Sequence, residues 1–212
     1  MQDVFVKRYL LAFCLFIFIL VGIRVLYTGS YRYIFLLWNI FLAWVPFAVS
    51  GQMHKLQSNI KWVLLSVWLL FFPNALYVVT DLMHLNADTA APLWYDVILL
   101  FSASVLGLIF GYVSLNSIEM FLIKHVRKEY VSILIYSFLI LASFGVYLGR
   151  FLRWNSWDIL THPQPLLIEV ATRIINPIDH TKTWAVTLMF SAFFYLLYAG
   201  VKMLFMRLQK LY

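Results

Sequence analysis

Residues 94–115 read WYDVILLFSASVLGLIFGYVSL, and beyond Asp96 that run holds nineteen consecutive positions without an Asp, Glu, Lys or Arg. A helix of about 20 such residues rises roughly 30 Å, the thickness of a bilayer's hydrocarbon core. Five further stretches approach the same length and character: Leu10 to Leu26, Ile34 to Val49, Trp62 to Val79, Val131 to Leu148 and Trp184 to Val201. With 64% hydrophobic and 12% charged residues over 212 positions, the chain has too little polar surface to be covered by water. The expected fold is all-α: a polytopic bundle of six transmembrane helices. No Pro/Gly/Ser-rich linker or charge block divides it, so it reads as a single domain over residues 1–212, with one long loop over 150–183.

The net charge of +7 does not point to nucleic acid, because the basic residues sit in short segments between apolar runs, where orientation in the membrane accounts for them. The N-terminus (Lys7, Arg8), the second loop (Lys55, Lys61), the fourth (Lys124, Arg127, Lys128) and the C-terminus (Lys202, Arg207, Lys210) hold ten Lys and Arg. The opposite side holds six: Arg24, Arg32, Arg150, Arg153, Arg173 and Lys182. The positive-inside rule then puts both termini in the cytoplasm, with a bacterial inner membrane as the expected location. Lys7 and Arg8 precede the first apolar run as in a signal peptide, but no small-x-small cleavage pattern follows, so that run is expected to stay as an anchor. Cys14 is the only cysteine, which excludes an intramolecular disulfide.

Acidic residues lie outside that rule and are informative separately. Asp81, Asp88, Asp96, Asp158, Glu169 and Asp179 fall on the outer side, against Asp3, Glu119 and Glu129 inside. Gly107 with Gly111, and Gly145 with Gly149, have the Gly-x-x-x-Gly spacing that lets helices approach closely in lipid. Tight packing of spans four and five is the expectation.

The segment FPNALYVVTDLMHL over 72–85 carries the densest polar signal. On a continuous α-helix Asn74, Tyr77, Asp81, His84 and Asp88 recur three and four apart and share one face. Polar groups at membrane depth are costly and normally face a bundle interior or a wet cavity. Pro73 removes a backbone donor and is expected to kink this helix, with Asn74 placed to help the freed carbonyl.

Span five runs into YLGRFLRWNSWDILTHP over 147–163. Arg150 and Arg153, three apart, suit the bidentate binding of phosphate or carboxylate at the membrane boundary. Asn155 or Ser156 is placed to cap a short helix, with Asp158 in its first turn and Pro163 near its end. Trp154 and Trp157 fit the interfacial belt. Leu166 to Ile175 is expected to lie along the surface as an amphipathic or re-entrant piece.

Asp81 with His84 and Asp158 with His162 have the i,i+3 and i,i+4 spacings of His/carboxylate metal ligands, so a divalent metal held by these four residues is one expectation. Haem is disfavoured, since no two histidines face each other in mid-span. No phosphate-cradling Gly-rich loop, Gly-x-Ser-x-Gly elbow or His-Glu-x-x-His motif occurs.

The strings FPNALYVVTDLMHL, WYD at 94–96 and YLGRFLRWNSWDIL resemble the signature segments of an uncharacterised bacterial integral-membrane family, domain of unknown function 1361. The resemblance implies a membrane-embedded fold and brings no established activity, cofactor or catalytic residue. From the residues themselves, an enzyme acting at the outer leaflet on a lipid or lipid-linked, anionic substrate is expected. Asp81, His84 and Asp96 are its candidate catalytic groups, and Asn74, Tyr77, Arg150, Arg153, Asn155 and Asp158 would bind substrate. A transporter or channel component, with the polar stripe lining a path, and a non-catalytic assembly subunit stay open as alternatives.

Overall fold

A computed structural model describes residues 2–53, 58–86 and 90–209. His54, Lys55, Asp88 and Lys210 lie outside the described residues. The described chain is helical throughout: α1 Gln2–Thr28, α2 Phe35–Gln52, α3 Ser58–Tyr77 continuing as a 3-10 helix Val78–His84, α4 Leu93–His125, α5 Lys128–Leu152, α6 Asp158–Thr161, α7 Pro163–Ile175 and α8 Thr181–Gln209. Six of these, α1 to α5 and α8, contain stretches long and apolar enough to cross a membrane. In α1, Ile17 is fully buried while its neighbours Phe18 and Ile19 are 61% and 55% exposed. Apolar side chains on both the inner and the outer face of a helix belong to a chain whose solvent is lipid. This is a multi-pass membrane protein.

The chain gathers into two compact units, residues 1–114 and 115–212. In the first, Ile17 and Val21 of α1, Leu36 and Ile40 of α2, Ala75 and Val78 of the third span and Leu99 to Phe110 of α4 share one core. Gly107 and Gly111 receive the third span: a Cβ built on Gly107 would stand 2.8 Å from the Ala75 carbonyl oxygen, and one on Gly111 3.2 Å from Leu76 Cδ2. The Gly107/Gly111 spacing thus serves α3, where a contact of spans four and five is the sequence expectation.

The third span differs from its expected form. Instead of a continuous α-helix it tightens to 3-10 geometry after Tyr77. Thr80 Oγ1 donates to the Tyr77 carbonyl (2.6 Å), and Ser104 Oγ reaches across from α4 to the Val78 carbonyl (3.2 Å), so hydroxyls take up acceptors at the change of pitch. At three residues per turn, four steps from Tyr77 to Asp81 amount to about 120°, against about 40° on an α-helix. The single stripe therefore divides. Asp81 and His84, three apart, still share a face, while Asn74 and Tyr77 stand on another. Asn74 Nδ2 donates to the Phe71 carbonyl (3.0 Å) and not to that of Leu69, which Pro73 leaves without its usual amide.

The second unit is built on α5 packed against α8. Tyr136 meets Tyr195 (ring centroids 5.4 Å) and Phe144 meets Trp184 (6.0 Å), which makes the two helices antiparallel. The fourth span reaches ten residues beyond Leu115, to His125. The sequence expectation ends it at Leu115, but beyond that point Glu119 is nearly buried, with Tyr198 Oη at 2.6 Å and Lys202 Nζ at 2.5 Å. Once its charge is matched, the carboxylate no longer ends the span.

Candidate functional site

Polar side chains collect at one end of each unit. In the first unit that end is formed by the close of α1, the start of α2, the 3-10 segment and the start of α4. Arg24 on α1 forms a buried two-point ion pair with Asp96 on α4, Nε to Oδ1 2.7 Å and Nη2 to Oδ2 3.2 Å. Its guanidinium lies 4.3 Å from the centroid of the Tyr33 ring. Tyr33 Oη donates to the His84 carbonyl (3.0 Å), tying this pair to the end of the 3-10 segment. Burial, reinforced by the Asp96 carboxylate, holds the Tyr33 phenol above its ordinary pKa.

One face of the α2 N-terminus completes the group. Asn39 Nδ2 donates to Asp81 Oδ2 (2.8 Å), and one turn earlier Phe35 packs on the His84 ring (centroids 5.0 Å). Asp81 is fully buried and His84 is exposed, so the two share a face but not an environment. Asp96, with both oxygens on Arg24, is suited to clamping α1 to α4. Asp81 lies inside the unit on Asn39, and His84 lies at its surface on Phe35. Asn74 and Tyr77 are half-buried on the α-helical part below.

In the second unit α5 ends at Leu152, and the chain reverses through Arg153 at φ 62°, ψ 30°. Arg153 is the one non-glycine residue with positive φ among the described residues. Its amide and that of Trp154 (3.1 Å) both donate to the Leu148 carbonyl, closing the helix. This reversal separates two arginines that the sequence places on one face. Arg150 stays on α5, half-buried, while Arg153 lines a shallow recess of about 410 Å3 with Leu152, Trp154, Asp158, His162 and Pro165.

Asp158 organises the recess. Its Oδ2 accepts from the Asn155 amide (2.6 Å), as the carboxylate of a capping box does, and so ties down the turn before α6. The sequence expectation has Asn155 or Ser156 as the cap; Trp157 occupies the N-cap position without a side-chain cap bond, and the Asp158 carboxylate bonds back to the Asn155 amide. Pro163 opens α7 at its first position, where a missing amide costs nothing, rather than closing the helix before it. Asp158 Oδ1 and His162 Nδ1 are 3.9 Å apart, too far for a hydrogen bond, and Thr161 stands between. Thr161 Oγ1 is 3.2 Å from Asp158 Oδ1 and 3.0 Å from His162 Nδ1. If the threonine donates to the carboxylate, it accepts from Nδ1–H, which leaves His162 Nε2 with a free lone pair facing outward.

The candidate metal ligands divide between the units, Asp81 and His84 in one and Asp158 and His162 in the other. Among the described residues, no three of His, Cys, Asp and Glu come together as a ligand set.

Arg24, Tyr33 and Asn39 are the residues that sequence reasoning missed. Arg24 and Asn39 were legible: each is a polar group inside an apolar span, costly unless partnered. Counting Arg24 as an ordinary boundary cation hid that signal.

The chain belongs to the family described as Protein of unknown function (DUF1361), whose profile it matches over residues 38–197. The matched region takes in Asn39, Asp81, His84, Asp96 and the whole recess, and leaves out Arg24 and Tyr33. No curated protein and no solved structure matches the chain.

Proposed function

We propose that this member of the DUF1361 family is an interfacial enzyme of a bacterial inner membrane, acting at the outer leaflet on the anionic headgroup of a lipid or lipid-linked substrate. One observation carries the reading: the recess in which Arg153 faces Asp158 and His162. Arg153 supplies a planar, permanently charged fork for a phosphate or carboxylate. His162, oriented through Thr161 by Asp158, takes or gives a proton at the headgroup through Nε2. Trp154 and Trp157 match the headgroup level of a bilayer, where lipid substrates present their polar ends.

Orientation supports the outer leaflet. Ten Lys and Arg lie on the side of the two termini against six on the other. Both termini are then cytoplasmic, and the crossing order puts the recess on the outer side. By that order Asp81 and His84 also lie toward the outer side, as a separate acid/base candidate within the first unit, with Asn74 and Tyr77 on the α-helical part of the same span. The Arg24–Asp96 clamp joins α1 to α4, and Tyr33 ties it to the segment that carries them through the His84 carbonyl. Asn155 holds the Asp158 carboxylate in place, and Arg150, one turn back on α5, adds positive charge near the recess in sequence.

The reading is tested by comparing the lipid profiles of cells lacking the gene after complementation with wild type, His162→Ala, Arg153→Gln or His84→Ala. Wild type should restore a headgroup-modified lipid class that His162→Ala and Arg153→Gln leave altered. Full restoration by both variants would exclude recess chemistry. Unchanged lipids in the deletion, with a changed content of some transported solute, would favour a transporter instead.

A further inference from the structure

The α5–α8 seam of the second unit contains polar groups that the recess does not use. Ser143, Thr183 and Thr187 are at most 1% exposed, and none of their hydroxyls has a hydrogen-bond partner among the described residues. Hydroxyls at membrane depth ordinarily bond back to their own helix, as Ser191 does to Leu188 (2.9 Å) and Ser137 does to Ile133 (2.9 Å). The Phe144–Trp184 contact sets Ser143 level with the first two turns of α8, where Thr183 and Thr187 lie one turn apart on one face. Trp184 Nε1 donates to the Arg173 carbonyl (3.0 Å), which brings α7 against the same turns. Arg173 is itself 7% exposed. Its Nη1 is taken by Glu169 Oε1 (2.6 Å), while its buried Nε has no partner among the described residues.

The packing of α5 and α7 on α8 thus sets four unmatched groups at about one level of the unit, and each can donate a hydrogen bond. The Glu169 carboxylate is committed to Nη1. The site lies in the first two turns of a 29-residue helix, where the helix dipole favours negative charge, although the Thr183 and Trp184 amides are taken by the His180 carbonyl. Thr183 and Thr187 are about 6 Å apart along the axis, so one atom between them would lie about 3 Å from both hydroxyls. Phe194, fully buried on the same face, separates this cluster from the Glu119–Tyr198–Lys202 group, so the polar line stops within the unit.

We infer that Ser143, Thr183, Thr187 and Arg173 form a binding site for a single monoanionic acceptor, either a halide-sized ion or one oxygen of a lipid phosphodiester. The site is independent of the enzymatic reading of the recess. It is tested on the full chain, delipidated in a maltoside detergent, by thermal unfolding in chloride against gluconate at equal ionic strength, and again in gluconate with added phosphatidylglycerol. A ligand at a hundredfold excess over its dissociation constant should raise the midpoint by about 5–11 °C. A rise with chloride identifies a free ion, and a rise with phosphatidylglycerol alone identifies a lipid phosphodiester. Either rise should vanish in the isosteric Thr183→Val/Thr187→Val variant and shrink in Ser143→Ala, which keeps the test intact if the double variant fails to fold. No rise in either medium, or the same rise in these variants, would overturn the inference.

Discussion

Replacing Arg153 by glycine should make the protein more stable and less functional at once. Arg153 sits at φ 62°, ψ 30°, where an L-residue pays about 1–2 kcal/mol for the approach of its Cβ to the backbone. Glycine is free of that cost but surrenders roughly 0.5–1 kcal/mol of unfolded-state entropy. The arginine side chain is exposed, so little packing is lost with it. The net expectation is a gain of up to about 1 kcal/mol, or about 2–4 °C in unfolding midpoint for a chain of this size. Thermal unfolding followed by tryptophan fluorescence reads the first effect, and rescue of the lipid profile in cells lacking the gene reads the second. Arg153→Asn, which tolerates the left-handed conformation without a charge, should behave like glycine. Arg153→Lys should keep the strain and part of the function, having lost only the planar fork. Full rescue by Arg153→Gly would show that the side chain is dispensable. A fall in its stability by more than about 1 kcal/mol would show that the strain argument is wrong.

Three further outcomes are expected. Asp96→Asn leaves Arg24 buried against an uncharged partner and should cost about 3–5 kcal/mol in denaturant unfolding, whereas Arg24→Met combined with Asp96→Leu should recover most of that loss. Gly107→Ala should cost about 1–3 kcal/mol, because its Cβ meets the rigid Ala75 carbonyl, and Gly111→Ala should cost less, because it meets only the mobile end of Leu76; unfolding in mixed micelles separates the two. The folded state favours the protonated form of Tyr33, so its contribution is intact below the ordinary tyrosine value near pH 10 and is lost as pH rises through the raised one. Stability measured from pH 8 to 12 should therefore fall less steeply in Tyr33→Phe than in wild type.

Hydropathy alone made the six spans and the all-helical class legible, because lipid-covered helices are apolar on every face and need no periodicity to be found. Span ends were less legible. The fourth span is apolar only to Leu115, and its continuation past Glu119 depends on Tyr198 and Lys202, some eighty residues away, which match that carboxylate. The polar stripe of the third span rested on a constant 3.6-residue pitch, and the 3-10 segment, stabilised by Thr80 and Ser104, rotated its outer half away from Asn74 and Tyr77. Asp81, Asp96 and Asp158 stand out in sequence by their rarity, but their partners Arg24, Asn39 and Thr161 come from other helices or from an unremarkable neighbouring position. The left-handed turn at Arg153 had no sequence signal, since glycine or asparagine is the residue that normally announces it.

The most direct test of the recess is an experimental structure of the protein in nanodiscs of lipids extracted from its own membrane, at a resolution that shows headgroups. A headgroup seated beside Arg153, with its reactive atom within hydrogen-bond reach of His162 Nε2, is the predicted result. Ordered lipids elsewhere around the helices, with only water between Arg153, Asp158 and His162, would contradict it.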